Sequence, residues 1–194
     1  LTKADLRGAD FSLCSMNETD LAGATLEGTV FSGASLVEAN LTKTAAERAA
    51  LNGANLERAN LVESNFSYAN LERAVLSGAN LGWVNLSRAN LEKADLSEAN
   101  LSGANLDDAR LNGANLAGAF LFGARVSLKA LSTARSLANA TMPDGLKYED
   151  WVRRQSGEYV SPPPSLTNNG EQAPASGYGV TGSPLDYVPQ PEEI

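Results

Sequence analysis

A bulky apolar residue recurs at every fifth position of this 194-residue chain, and the interval does not slip between Leu1 and Leu131. Of the 27 positions 1, 6, 11 and onward to 131, 24 hold Leu or Phe, the exceptions being Met16, Ala46 and Val126. Two residues before each lies a second series, at positions 4, 9, 14 and onward to 129, in which Ala predominates and the others are mostly Cys14, Thr19, Thr29, Thr44 and Ser64. A period of five suits neither common element. Five steps rotate a helical side chain by about 140°, and an odd step along a strand sends it to the opposite face. A backbone that turns through about 90° per unit brings every fifth residue inward, so four units close a square coil and the coils stack as a parallel β-solenoid.

Runs such as Ala54-Asn55-Leu56-Glu57-Arg58-Ala59-Asn60-Leu61 resemble the pentapeptide-repeat proteins, and the resemblance covers roughly the first 130 residues. It implies an all-β, right-handed quadrilateral parallel β-helix of about 6–7 coils, with the Leu/Phe and Ala series in the core. Leu56, Phe66, Leu86 and Leu106 are representative core residues. The expected organisation is a β-helix over 1–128, a capping segment over 129–160 that could hold short helices, and a Pro/Gly/Ser-rich tail over 161–194.

Equivalent residues of successive coils should then stack at the inter-strand spacing of about 4.8 Å. Ala46 falls in the column Leu6, Leu26, Ala46, Phe66, Leu86, where the large neighbour can fill the space the small residue leaves. Gly8, Gly23, Gly28 and seven further glycines precede the inward small residue, at a corner where a type II turn needs positive φ. Corners carrying Arg58 or Lys93 are expected to adopt a different turn. Cys14, at an inward small-residue position, is expected to be a buried filler rather than a reactive thiol. The column Asn40, Asn60, Asn80, Asn100 reads as a ladder of stacked amides. N-x-[ST] triplets such as Asn40-Leu41-Thr42 arise from the repeat itself and are not evidence of secretion.

The clock ends after Val126, because Lys129 would have to point into the core. Leu128, Leu131, Leu137 and Met142 suggest a slipped register or a short helix, and Tyr148 to Arg154 a helix laying Trp151 against the rod. All eight prolines lie from Pro143 onward. The remaining chain reads as a linker or an interaction arm carrying Tyr178, Leu185, Tyr187 and Val188. Leu1 stands mid-repeat with no initiating Met, as expected of a trimmed or processed chain. The ending resembles that of cyanobacterial members of the family, which implies the cytoplasm or the thylakoid lumen.

Chemistry-bearing residues are sparse. The chain has no His, a single Cys and no Gly-rich phosphate loop after a strand, and Asp107-Asp108 is an isolated acidic pair. No catalytic residue, metal site or cofactor is expected, and no stretch is apolar enough to span a membrane.

The resemblance also carries an alternative, since some members of the family act as acidic, duplex-like rods on type II topoisomerases, and the net charge here is −8. The charge distribution opposes it. Residues 1–140 hold 15 acids and 12 bases, whereas 141–194 hold 8 acids and 3 bases, so most of the excess lies off the rod. A basic nucleic-acid-binding face is equally unsupported. The favoured reading is a non-enzymatic scaffold or protein–protein interaction module with an unidentified protein partner. Its candidate surface is where the outward pattern breaks, at Trp83, Phe120 and Phe122, together with Tyr178 and Tyr187 in the tail. The three rod aromatics are expected either to be covered by the C-terminal segment or to mark a partner site. Tyr68, between Arg48 and Arg88 in one column, is accounted for by cation–π stacking.

Overall fold

In the computed structural model, which describes residues 1–155, the chain winds as a square solenoid of four pentapeptide units per coil. Parallel bridges join Asp5 to Thr25, Thr25 to Ala45 and Ala45 to Asn65, and the same +20 step runs up the other three faces. Each face contributes two rungs. At one, the N–H of the central Leu or Phe donates to the coil above, as from Leu56 to the Val75 carbonyl at 2.7 Å; at the other, the preceding residue donates to the coil below, as from Asn55 to the Ala34 carbonyl at 2.8 Å. Leu56, Phe66, Leu86 and Leu106 are all buried, as are the inward Ala residues from Ala24 onward. Burying a side chain of Leu or Phe size contributes about 1.5–3 kcal/mol. Inward hydroxyls are satisfied within the core: Thr29 Oγ1 donates to the Leu6 carbonyl (2.9 Å) and Thr44 Oγ1 to that of Leu41 (3.0 Å).

The corners differ from expectation. Every corner position from Lys3 to Gly123 has positive φ, and Arg58 (55°) and Lys93 (59°) adopt it as Gly53 (66°) does. A left-handed L-residue costs about 1–2 kcal/mol, but the stack imposes the conformation. The Arg58 N–H reaches the Ser77 carbonyl of the next coil at 3.0 Å, while Ala59 N–H closes the turn onto Leu56 at 3.0 Å. Opening the turn would forfeit both bonds, so the corner residue conforms whatever its type.

Cys14 is a second correction, for it is exposed. Its side chain belongs to the inward series, but its coil is stacked on one side only, so Ala4, Leu6, Ala9 and Phe11 are also incompletely covered. Phe11 stacks on Phe31 of the next coil, with ring centroids 5.4 Å apart.

The regular winding ends where Ser127 caps α1 (Leu128–Leu131), its hydroxyl accepting from Ala130 N–H at 3.1 Å. The helix and the slipped register both occur. After α1 the +20 step becomes +21, with Asn115 bridged to Ser136 and Phe120 to Thr141, so that Leu137 and Met142 return to the core. A hairpin-like return pairs Thr141 with Lys147 in antiparallel fashion and leads into α2 (Tyr148–Gln155). Tyr148 and Trp151 of α2 pack partly buried against the core.

Candidate interaction surface

The outward residues divide into self-paired charges and one neutral, aromatic-bordered face. Arg58 meets Glu38 (3.4 Å), Arg110 and Arg125 pair with Glu92 and Asp107, and Lys43 meets Glu63 (3.5 Å) in the column that Trp83 continues. The Tyr68 ring lies between the Arg48 and Arg88 guanidiniums, 5.6 and 5.5 Å from its centroid, and its hydroxyl accepts from Arg88 Nη1 at 2.6 Å. Exposed pairs of this kind contribute about 0–1 kcal/mol each and leave little uncompensated charge.

The neutral face follows the column Asn40, Asn60, Asn80, Asn100, Phe120. Its amides form an incomplete ladder. Asn100 Nδ2 donates to Asn80 Oδ1 (3.1 Å) and Asn40 Nδ2 to Asp20 Oδ1 (2.9 Å), with no such bond at Asn60. The more regular role of these oxygens is local: Asn60, Asn80 and Asn100 each accept the backbone N–H two residues on. Each such bond contributes about 1 kcal/mol and holds the chain as it enters the next corner.

Beside this column stands a corner where Trp83, Gly103 and Gly123 stack in successive coils. Trp83 is 71% exposed, yet its indole is laid along the rod over Gly103, where an added Cβ would meet Trp83 Cε3 at 2.5 Å. Gly103 thus has two reasons to be glycine, its φ of 66° and the indole above it. Phe122 (59% exposed) occupies the adjoining corner position, and Phe120 (49%) the end of the Asn column. The segment leading to α2 touches both without burying them. A Cβ on Gly145 would lie 3.4 Å from Phe122 Cδ2, and Lys147 Nζ sits 5.5 Å from the Phe120 centroid. Lys147 is held there by the Asn139 carbonyl (3.0 Å) and Thr141 Oγ1 (3.1 Å). Glu149 ties α2 to the same rung, accepting from Asn139 N–H at 2.9 Å, a bond that lowers its carboxyl below the usual range.

The structure therefore brings Trp83, Phe120 and Phe122 to one edge near the C-terminal end of the rod. Tyr178 and Tyr187 lie outside the described residues. Sequence reasoning missed the parts played by Gly103 and Lys147. The first was accessible, since Gly103 and Gly123 stand one and two full coils after Trp83 in the same column. The second was not, because the one-residue slip after α1 removes the register that would place Lys147. Among the described residues no group of His, Cys, Asp and Glu is arranged to hold a metal ion, and no helix is long and apolar enough to cross a membrane.

Comparison with known proteins bears on the fold. The family model for pentapeptide repeats matches in eight copies, over residues 14–53, 39–78, 54–92 and 89–127. A structure of QnrB1, a plasmid-mediated fluoroquinolone resistance protein, is similar at 20% identity with a TM-score of 0.64, covering 79% of this chain and 72% of that one. Rfr23, a pentapeptide repeat protein of the cyanobacterium Cyanothece 51142, shares 27% identity over 59% of this chain and 89% of its own, with a TM-score of 0.48. A pentapeptide repeat protein of the Arabidopsis thaliana thylakoid lumen shares 24% identity over 66% of this chain and 72% of its own, with a TM-score of 0.27. No curated protein sequence matches significantly.

Proposed function

The chain belongs to the pentapeptide-repeat family, and on that premise we propose that it is a non-enzymatic protein–protein interaction module, a rod of six to seven right-handed coils closed by the α1–α2 cap. Trp83, Phe120 and Phe122 are its binding edge. The observation that carries this reading is the gathering of three exposed aromatics beside the uncharged column Asn40, Asn60, Asn80, Asn100 and above the self-paired Lys43 and Glu63. Aromatic side chains dominate the energetics of protein interfaces, typically as a central cluster ringed by near-neutral contacts. Here the ring consists of small and amide residues, among them Gly82, Asn100 and Ser102. The edge is rigid as well as exposed, because its residues are held by inter-coil bonds such as Gly103 N–H to the Phe122 carbonyl (2.9 Å). Little ordering entropy is lost on binding.

The alternative, a DNA-like rod that engages a type II topoisomerase, needs rows of uncompensated acids. The likeness to QnrB1 at 20% identity supports the common fold, whereas many acids of this rod, among them Glu38, Glu63, Glu92, Asp107 and Asp108, are paired with Arg or Lys of a neighbouring coil. The two readings separate in one experiment. The full chain and its Trp83→Ala/Phe122→Ser variant are immobilised and used to capture proteins from native lysate, with gyrase supercoiling assayed in parallel. Loss of a captured protein in the variant, by tenfold or more, is the expected result. Equal capture by both forms refutes the assignment of the edge, and inhibition of supercoiling at micromolar concentration establishes the alternative.

A further inference from the structure

We infer that the edge formed by Trp83, Phe120 and Phe122 is occupied in cis by the chain's own C-terminal segment, through Leu185, Asp186 and Tyr187. This rests on the reading of that edge as the binding surface, and it adds a regulatory device: a partner must displace the segment to bind. Position, length and charge each support it.

The described chain ends beside the edge. Gly145 and Lys147 contact Phe122 and Phe120, and α2 starts at the next residue, with Tyr148 N–H bonded to the Ala140 carbonyl at 2.9 Å. Gln155 ends that helix, about 10 Å further along its axis. Trp83 lies two coils from Gly123, roughly another 10 Å down the rod. Leu185 stands thirty positions after Gln155, and even as a random coil such a stretch spans about 30 Å, enough to reach every part of the edge. Tethering at this length holds the segment at about millimolar effective concentration. An intrinsic dissociation constant of about 1 mM therefore leaves it bound roughly half the time.

Charge supplies the choice of occupant. Residues 156–194 contain five acids, Glu158, Glu171, Asp186, Glu192 and Glu193, and no Lys or Arg. The cation at the edge, Lys147, is held by a carbonyl and a hydroxyl and joins no salt bridge among the described residues. Its nearby carboxylate, Glu149, accepts from Asn139 N–H and interacts with Lys147 through space without forming a salt bridge to it, so Lys147 keeps room for a second carboxylate. Leu185 and Tyr187 share one side of an extended backbone, so both can meet the aromatics while Asp186 stays at the rim within reach of Lys147. Asn100 uses one amide N–H on Asn80, leaving the other for a carbonyl of an extended peptide.

The test reads the environment of Trp83 in the purified full chain. With Trp151→Phe, Trp83 is the sole tryptophan. Acrylamide should quench its fluorescence up to about twofold less than in the same chain carrying Leu185→Asp/Tyr187→Asp, the limit set by half occupancy, and the difference should not change over a hundredfold range of protein concentration. Lys147→Gln should remove part of the protection. In the unsubstituted rod, the indole N–H resonance of Trp83 should shift when the same two tail residues are replaced, a readout that does not depend on α2 tolerating the Phe. Equal quenching and an unmoved resonance overturn the inference; protection that grows with protein concentration also overturns it, because the occupant is then a second copy. Shielding of Trp83 with no partner captured by the edge refutes the proposed function alone, and capture without shielding refutes this inference alone.

Discussion

Exchanging the two unusual residues of one core column tests whether the stacked coils pack as a unit. Ala46 and Phe66 are both fully buried, in consecutive coils joined by the Ala46 N–H to Asn65 carbonyl bond at 2.8 Å. The column Leu26, Ala46, Phe66, Leu86 keeps its volume if Phe66 extends over the space a Leu would occupy at 46. Ala46→Leu alone then forces a larger side chain under an unmoved ring, at a cost of about 1–3 kcal/mol. Phe66→Leu alone opens a void of roughly methyl size or more, about 1 kcal/mol. Together the two substitutions restore the ordinary Leu column, and a volume-conserving exchange costs under about 1.5 kcal/mol. The double variant should therefore be more stable than the sum of the singles by about 1–2 kcal/mol. Urea unfolding followed by circular dichroism measures all four forms, with equal slopes required for the comparison. Additivity within about 0.5 kcal/mol, the behaviour of independent sites, would refute the reasoning and mean that Ala46 is accommodated by backbone adjustment instead.

Two further outcomes follow from particular residues. Gly103→Ala should destabilise by about 1–2 kcal/mol through its left-handed backbone and also displace the indole of Trp83, whereas Gly123→Ala, whose Cβ would meet only Gly103 N at 3.9 Å, should show the backbone effect alone; equal losses in urea unfolding would mean that Trp83 does not rest on Gly103. The carboxyl of Asp95 is pushed up by burial, but hydrogen bonds from Ser97 and Asn115 and the charge of Arg135 outweigh this and hold it below the usual range. A folded-state value below the unfolded one means the unfolded chain binds more protons in acid, so this stabilisation is complete above about pH 4 and is lost as pH falls through the folded value. The melting-temperature gap between the wild type and Asp95→Asn should accordingly be open at pH 6 and close towards pH 2; a gap independent of pH would refute it.

The core was legible because a period of five leaves one geometry open to it, and the columns built on that period correctly placed Ala46 beside Phe66 and Tyr68 between Arg48 and Arg88. The corners at Arg58 and Lys93 are not legible from intrinsic preference for positive φ, because the bonds between coils decide the turn. Cys14 shows the complementary limit. Its inward direction can be read from the repeat, but burial also depends on what lies beneath its coil. The spacing of the Asn column points to an inter-coil ladder, yet the commoner bond runs to the N–H two residues on, a local feature that the spacing of equivalent residues does not reveal. At the edge, Trp83, Phe120 and Phe122 stood out as breaks in the pattern, while Lys147 enters through a one-residue slip and a reversed strand for which the repeat gives no register.

The corner geometry has a consequence for where function can reside. Since inter-coil bonds impose the same backbone on Gly53, Arg58, Tyr68 and Trp83 alike, the side chain at a corner position is largely free of any duty to the fold. Charges placed on such a lattice pair at the coil spacing, as Arg58 does with Glu38 and Arg88 with Asp108, and largely cancel at distances beyond the Debye length of about 8 Å. A long-range electrostatic role thus needs extended rows of one sign, whereas here the acidic column Glu72, Glu92 runs beside the basic column Arg73, Lys93. Short-range contact has no such requirement and needs only apolar area held rigidly in the open. Trp83, Phe120 and Phe122 supply that area where the rod meets its C-terminal segment, so the specificity of this molecule is expected to lie in shape and apolar contact at one edge, and its binding to respond weakly to salt.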